Sequence, residues 1–211
     1  AAPTFNNLQA YSAGHVEHHR LAGTNQDPDL ANYRDYPIST QRLRRKLLRD
    51  VTGRTGWRQN RGLVNSLFTL FAQKPEKRRS LVRGLVVHST AICIFTYLGV
   101  WWLYAVWWIA DLTTSRLFSR LRQVAEHAAV PDLYNTDPRK NTRTIPANWF
   151  DQLIFCPLGI SYHMEHHMMA SVPIYNLPRL HQLLKEKGHY DGISFPKSYM
   201  GMLDEVLLRK T

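Results

Sequence analysis

Residues 84–110 read GLVVHSTAICIFTYLGVWWLYAVWWIA, a run of 27 residues without Asp, Glu, Lys or Arg. A helix needs roughly 20 apolar residues to cross a bilayer, and a long core helix of a soluble protein would show a polar face. The run therefore predicts a membrane segment, although the mean hydropathy of the whole chain is −0.35. Its second half is rich in aromatic rings, which either anchor the segment at a headgroup layer or line a tunnel; the former is favoured. These rings are Trp101, Trp102, Tyr104, Trp107 and Trp108.

The apolar character fades slowly on both sides of this run. Residues 81–117 can therefore hold either one long tilted helix or two helices of about 18 residues, each long enough for a thin bilayer. Basic residues lie on both flanks, and the positive-inside rule then places both flanks in the cytoplasm, which needs an even number of crossings. We predict a transmembrane hairpin over residues 81–117, with its turn at Gly99.

The remainder of the chain is polar and mostly helical in pattern. We predict an all-α membrane protein, one domain over residues 1–211, in which residues 118–211 form a cytoplasmic helical region. Residues 41–51 place leucines on one side and basic residues around the rest, which indicates either an interfacial helix on an anionic leaflet or a solvated basic helix. Residues 131–146 have the composition of a loop.

Charge and cysteine content narrow the function classes. Lys and Arg number 27 against 16 Asp and Glu, so the net charge of +11 suits a nucleic acid, a membrane surface or an acidic protein. The sequence has no nucleic-acid-binding signature, and the apolar run argues against a nucleic-acid partner. Cys93 and Cys156 lie in apolar surroundings without C-x-x-C spacing, so we predict buried free thiols.

The motif H-x-E-H-H occurs twice, at residues 15–19 and 163–167, and uses six of the ten histidines. Positions i, i+3 and i+4 share one face of a helix, so each motif directs three imidazoles toward one point. Neutral imidazole is a good ligand for iron, zinc and copper. One copy alone could be a surface cluster, but two copies flanking a hairpin that returns them to the same membrane face predict a metal site. Glu17 and Glu165 point away from that face and could orient the imidazoles.

The residues alone leave the identity of the metal open between iron, zinc and copper. Structural zinc usually takes four ligands and often includes cysteine, and neither motif has a cysteine pair nearby. An imidazole-rich site beside a membrane favours iron that activates oxygen, with zinc and copper as alternatives.

Three stretches resemble the membrane fatty acid desaturase superfamily, which also includes hydroxylases and ketolases. GHVEHHRLAGTNQDPD, residues 14–29, is similar to the second histidine box, and YHMEHHMMASVPIYNLPRLH, residues 162–181, to the third. RQVAEH, residues 122–127, is similar to the isolated histidine that follows the last membrane helix. The resemblance extends over residues 10–188.

The resemblance implies two iron ions, with O2 as co-substrate and no catalytic residue beyond the metal ligands. The implied ligands are His15, His18, His19, His127, His163, His166 and His167. His181 belongs to the family pattern but is expected to be structural, and neither His88 nor His189 is covered by a motif. Asp27 and Asp29, after the first of the two motifs, either support the ligands or are merely solvated.

The implied reaction is oxygen-dependent desaturation of a fatty acyl chain carried by CoA, a carrier protein or a lipid. Electrons would come from a ferredoxin or a b-type cytochrome, and the integral membrane protein would hold its boxes on the cytoplasmic side, in contact with membrane lipids. One alternative is hydroxylation or ketolation of a lipid, alkane or carotenoid. Another is a non-catalytic membrane metal-binding protein.

The sequence departs from the family pattern in one respect. Family members carry a further histidine box on an earlier membrane helix, whereas the 14 residues before His15 contain no histidine. We expect either a longer natural protein or a degenerate relative, and we favour the former. The chain alone is then expected to be inactive.

Overall fold

The computed structural model describes residues 2–5 and 8–208, and regular structure there is helical, as predicted. The only extended pairing among these residues is an isolated bridge between Ile38 and Leu207. The helices are α1 (Leu8–Leu21), α2 (Thr40–Val51), α3 (Arg54–Phe68), α4 (Pro75–Tyr97), α5 (Trp102–Leu112), α6 (Thr114–His127), α7 (Pro138–Asn141), α8 (Trp149–Ile154), α9 (His163–Met168), α10 (Leu177–Glu186) and α11 (Tyr199–Leu203). The predicted loop over residues 131–146 is interrupted only by the single turn of α7.

The described chain forms two compact units. The first contains the described residues up to 15 together with residues 45–117, and the second contains residues 16–44 together with residues 118–208. The three divisions fall inside α1, α2 and α6.

Close helix contacts in the first unit depend on glycine. A Cβ atom on Gly56 of α3 would lie 2.3 Å from the carbonyl oxygen of Leu112 in α5, so only glycine allows this approach. Gly84 of α4 has the same relation to Phe5, whose ring would meet a Cβ at 2.2 Å. Both contacts bring backbone or ring atoms to a distance that any side chain would prevent.

A helical break lies at Gly99, where the sequence placed a turn. Gly99 has a φ of +70°, which glycine adopts without a steric penalty. The amide of Val100 donates to the carbonyl of Phe95 at 2.8 Å and closes the end of α4. The apolar run is therefore two helices in the structure, and the alternative of one long tilted helix does not apply.

The lengths of these two helices differ from the predicted 18 residues each. α4 has 23 residues and α5 has 11. Around the end of α5 the hydroxyls of Thr113 and Thr114 donate to the carbonyls of Ile109 at 2.6 Å and Ala110 at 3.1 Å. Side-chain donors of this kind compete with the backbone and favour a bend, and Thr113 has non-helical dihedrals.

Among the described residues, α4 is the one helix long and apolar enough to cross a membrane. Its 23 residues extend for about 34 Å at 1.5 Å per residue. Only 17% of its most apolar 18-residue window is buried within the protein, so its apolar side chains face outward. The 11 residues of α5 would extend for only about 16 Å, so the membrane hairpin remains a prediction.

In the second unit an apolar cluster packs against α9. Met164, Leu184 and Tyr190 form a buried apolar cluster against which Ile193 and Phe195 pack. At the end of α6, the buried guanidinium of Arg143 donates to three backbone carbonyls at 3.0 Å each, those of Ala125, Ala128 and Ala129. These bonds satisfy the carbonyls that a helix end leaves unpaired. The last residue of α6 is His127, which is thereby held in place.

The structure corrects one prediction about the cysteines. Both are free, but only Cys156 is buried, whereas Cys93 is exposed on α4. The apolar neighbours of Cys93 in sequence do not cover it because the outer face of α4 has no protein partner in the described chain, and Val86, Ile92 and Ile94 are exposed there too.

Candidate metal centre

Four histidines from three helices converge in the second unit. His18 comes from α1, His127 from the end of α6, and His163 and His167 from α9; their ligand nitrogens all lie within 4.8 Å of one another. The Nε2 atom of His163 lies 2.9 Å from that of His127 and 3.1 Å from that of His167. Three of the four are buried, and His167 is partly exposed.

A further pair lies beside this cluster in the same unit. The Nε2 atoms of His19 and His166 are 3.0 Å apart, and the rings of His19 and His167 stack with centroids 4.1 Å apart. His15 is located on α1, four residues before His19, and is partly buried. On a helix this spacing places the two imidazoles on the same face.

The donor set fits a metal ion. Ligand nitrogens at about 2.1 Å from a common ion are about 3 Å apart when they bind at right angles, which matches the separations around His163. Hydrogen bonding alone does not explain the arrangement, because the single Nε2 of His163 faces two other ring nitrogens. The chemistry of a set built from imidazoles suits iron, zinc or copper.

Burial keeps three of the four clustered imidazoles neutral. It lowers the pKa of His127 to about 3, with the nearby His18 as a second cause. Burial, together with neighbouring histidines, also lowers the pKa of His163 and of His167 well below the ordinary value. The rings of His127, His163 and His167 are therefore unprotonated at neutral pH, which is the form that binds a metal.

His18 is oriented by a buried carboxylate. Its Nδ1 atom lies 2.8 Å from Oδ1 of Asp27, which leaves Nε2 for the cluster. Asp27 also accepts a short hydrogen bond from the hydroxyl of Tyr33 and one from the amide of Asp29 at 2.8 Å. Burial raises the pKa of Asp27, but these hydrogen bonds outweigh it and hold the pKa below its ordinary value. The ring of Tyr33 also stacks on His127, with centroids 4.7 Å apart.

Two further ligand candidates, His127 and His163, have a backbone or a carboxylate neighbour. The Nδ1 atom of His127 faces the carbonyl of Asn141 at 3.4 Å. The Nδ1 atom of His163 lies 3.7 Å from Oε1 of Glu126, a buried carboxyl whose pKa is raised to about 7 by burial. Outer contacts of this kind fix which ring nitrogen is directed at a metal.

The two glutamates of the repeated motif have different surroundings. Glu17 lies on the surface and forms an ion pair with Arg20 at 2.5 Å. Glu165 is completely buried and accepts hydrogen bonds from His181 at 2.6 Å, from Tyr190 at 2.5 Å and from Thr144. Burial raises the pKa of Glu165, but these hydrogen bonds outweigh it and hold the pKa below its ordinary value.

The remaining histidines lie outside the cluster. His88 belongs to the first unit, where its Nε2 atom donates to the carbonyl of Pro3 at 3.0 Å and its Nδ1 atom accepts from Tyr104 at 3.0 Å. His189 is exposed. Sequence reasoning identified the converging histidines but missed Tyr33, Thr144 and Tyr190, which belong to none of the quoted motifs.

A protein-family model described as "Fatty acid desaturase" matches residues 1–199 of the 211-residue chain. No curated protein matches the chain, and no solved structure matches it either.

Proposed function

Because the chain belongs to the fatty acid desaturase family, we propose that its histidine cluster serves the O2-dependent desaturation of a fatty acyl chain. The family makes it an oxidoreductase of lipid metabolism. In the proposed reaction two adjacent methylenes each lose one hydrogen and a carbon–carbon double bond forms, while these two hydrogens combine with O2, two electrons and two protons to give two water molecules. The observation that supports this best is the convergence of the ligand nitrogens of His18, His127, His163 and His167.

We propose that the seven histidines named above hold two iron ions. The cluster of four would bind one ion, and the pair His19 and His166 would bind the other. His15 is added as a ligand because it lies one helical turn before His19. The redox chemistry, in which O2 is reduced as hydrogens leave the acyl chain, is supplied by the iron pair when bound.

The chain's own residues preorganise the site for metal binding. Low pKa values keep His127 and His163 neutral, and Asp27 directs one nitrogen of His18 into the cluster. Burial of three of the four rings excludes water from their side of the site. A site prepared in this way loses little free energy to reorganisation when an ion binds.

The position of the boxes supports the proposed membrane hairpin. His18 and His163 lie within 4.8 Å of each other, although α4 comes between them in the chain. If α4 crosses the bilayer, the chain must cross back before residue 163, and the return would use α5 and the residues that flank it. We propose that both boxes lie on the cytoplasmic side.

The proposed reaction needs a substrate and a reductant. The substrate is a fatty acyl chain linked to CoA, to a carrier protein or to a lipid, and the electron donor is a ferredoxin or a b-type cytochrome. The net charge of +11 suits an acidic carrier, although the same charges also serve as topology signals in the membrane.

The test is expression of the full-length protein in a host membrane that supplies an electron donor, followed by mass spectrometry of the acyl chains and metal analysis. We expect iron in the protein and products that lack two hydrogens. His163→Ala should abolish both, whereas His189→Ala, which alters an exposed histidine, should change neither. Products that gain oxygen would instead identify a hydroxylase or ketolase, and bound zinc without iron or product would identify a non-catalytic metal protein.

A further inference from the structure

α9 is too short to hold its own position. It has six residues, and three of them, His163, His166 and His167, are proposed ligands. A helix of this length is not stable in isolation, and rotation by one residue, about 100°, would turn all three imidazoles away from their present direction. Contacts from outside the helix must therefore set its rotation.

Glu165 lies on the face of α9 opposite the histidines. At about 100° per residue, Glu165 is about 150° from the mean direction of the three imidazoles. Its carboxylate is completely buried there. A buried carboxylate is costly unless it is fully hydrogen-bonded, so its partners determine where it can lie.

Those partners come from three different parts of the second unit. Oε1 accepts from Nδ1 of His181 in α10 at 2.6 Å and from the hydroxyl of Tyr190 at 2.5 Å. Oε2 accepts from the hydroxyl of Thr144, and that same hydroxyl accepts from the amide of Met164 at 3.2 Å. The side chain of Met164 packs in the apolar cluster beside them. These contacts hold α9 on the side opposite its histidines, through the side chain of Glu165 and the backbone amide of Met164.

The repeated motif provides an internal comparison. Glu17 holds the same place in H-x-E-H-H as Glu165, yet it is on the surface and contacts only Arg20 among the hydrogen-bond partners described for its carboxylate. α1 has 14 residues, so its histidines depend less on a side-chain anchor. A glutamate in the motif is therefore not needed for the imidazoles themselves, and the burial of Glu165 requires an explanation specific to α9.

We propose that Glu165, held by His181, Tyr190 and Thr144, is a positioning residue that fixes the rotation of α9, and that His181 is a positioning residue rather than a metal ligand. This inference rests on the proposed function only in that the histidines of α9 bind metal. It assigns His181 a role through the hydrogen bond of its Nδ1 atom to the carboxylate.

The first measurement is anaerobic titration of the metal-free full-length protein with Co²⁺, followed by visible absorption. Glu165→Gln removes the charge and turns one acceptor oxygen into a donor that faces other donors. We expect its Co²⁺ affinity to fall about 10- to 100-fold, with an altered ligand-field spectrum. Glu17→Gln, the matched variant in the other motif, should bind like the wild type.

The second measurement separates positioning from ligation at His181. His181→Gln keeps a side-chain N–H donor for Glu165, so its affinity should stay near that of the wild type, whereas His181→Leu should lose affinity as Glu165→Gln does. If His181→Gln loses as much as His181→Leu, His181 is a ligand and the proposal is wrong.

Thermal melting of the metal-free variants tests whether a loss of Co²⁺ affinity results only from a loss of stability. A loss of affinity in Glu165→Gln with a melting temperature near that of the wild type supports positioning. A loss that appears only in step with a fall in melting temperature overturns it, as does equal affinity in Glu165→Gln and the wild type. A wild-type protein that binds no metal at all would overturn the proposed function as well, so the two failures are distinguishable.

Discussion

Asp27 links two proposed ligands, His18 and His127, that lie far apart in the sequence. It binds His18 through one oxygen and Tyr33 through the other, and Tyr33 in turn stacks on His127. A single carboxylate therefore orients one proposed ligand directly and another through an aromatic ring. Supporting contacts of this kind raise ligand basicity and fix the tautomer.

Substitution of Asp27 by Asn should weaken metal binding without removing a ligand. We expect the Co²⁺ affinity of Asp27→Asn to fall about 10- to 100-fold, measured by anaerobic titration. Asp29→Asn is the control, because the carboxylate of Asp29 is half exposed and lies 3.9 Å from His18. Equal losses in both variants would contradict a specific role for Asp27.

Spacing predicts the converging histidines better than it predicts the residues that support them. His15, His18 and His19 were predicted from the i, i+3, i+4 rule because a helix fixes their common face. Thr144 and Tyr190 could not be predicted in this way, because they meet Glu165 only through tertiary packing and are 21 and 25 residues away in the chain. The sequence left Asp27 open between support and solvation, and its burial decides for support.

At the scale of helices, two glycines of α3 have opposite surroundings. Gly56 faces the backbone of Leu112 in α5, whereas a Cβ atom on Gly62 would meet nothing within 4 Å. Gly56→Ala should lower the free energy of unfolding by about 1–3 kcal/mol through overpacking. Gly62→Ala should raise it by about 0.5–1 kcal/mol, because alanine has the higher helix propensity.

Thermal melting of both variants in detergent checks this pair. If Gly56→Ala is as stable as Gly62→Ala, the close approach of α3 and α5 is wrong.

The sequence predicted the break at Gly99 but not the one at Thr113. A glycine in an apolar run is a recognisable turn residue. At the bend near Thr113, threonine hydroxyls and the guanidinium of Arg116 donate hydrogen bonds to backbone carbonyls. A hydropathy pattern does not predict these hydrogen bonds. The predicted second helix of about 18 residues is 11 residues long for this reason.

For the whole molecule, the two cysteines report whether lipid covers α4. Cys93 is exposed on the protein surface. If a bilayer surrounds α4, a bulky water-soluble maleimide should not label Cys93 in intact membranes. The same reagent should label it after a detergent has unfolded the protein. Cys156 should stay unlabelled until unfolding, because it is buried and burial raises the pKa of its thiol, which keeps the unreactive protonated form at pH 8.

Labelling is counted by intact-protein mass spectrometry, with His189→Cys as the exposed control. Rapid labelling of Cys93 in sealed membranes, at the rate of residue 189, would show that α4 does not lie in lipid.

The convergence of His18 and His19 with α9 also sets an order of events during synthesis. About 144 residues separate His19 from His163 in the chain, and translation at about 5–20 residues per second takes roughly 7 to 30 s to cover them. Throughout that interval the earlier histidines emerge from the ribosome with neither their partner imidazoles nor the apolar cluster behind α9. The four-histidine cluster cannot close around an ion until the later helix has been made, so delivery of metal to that cluster must follow synthesis of the intervening segment.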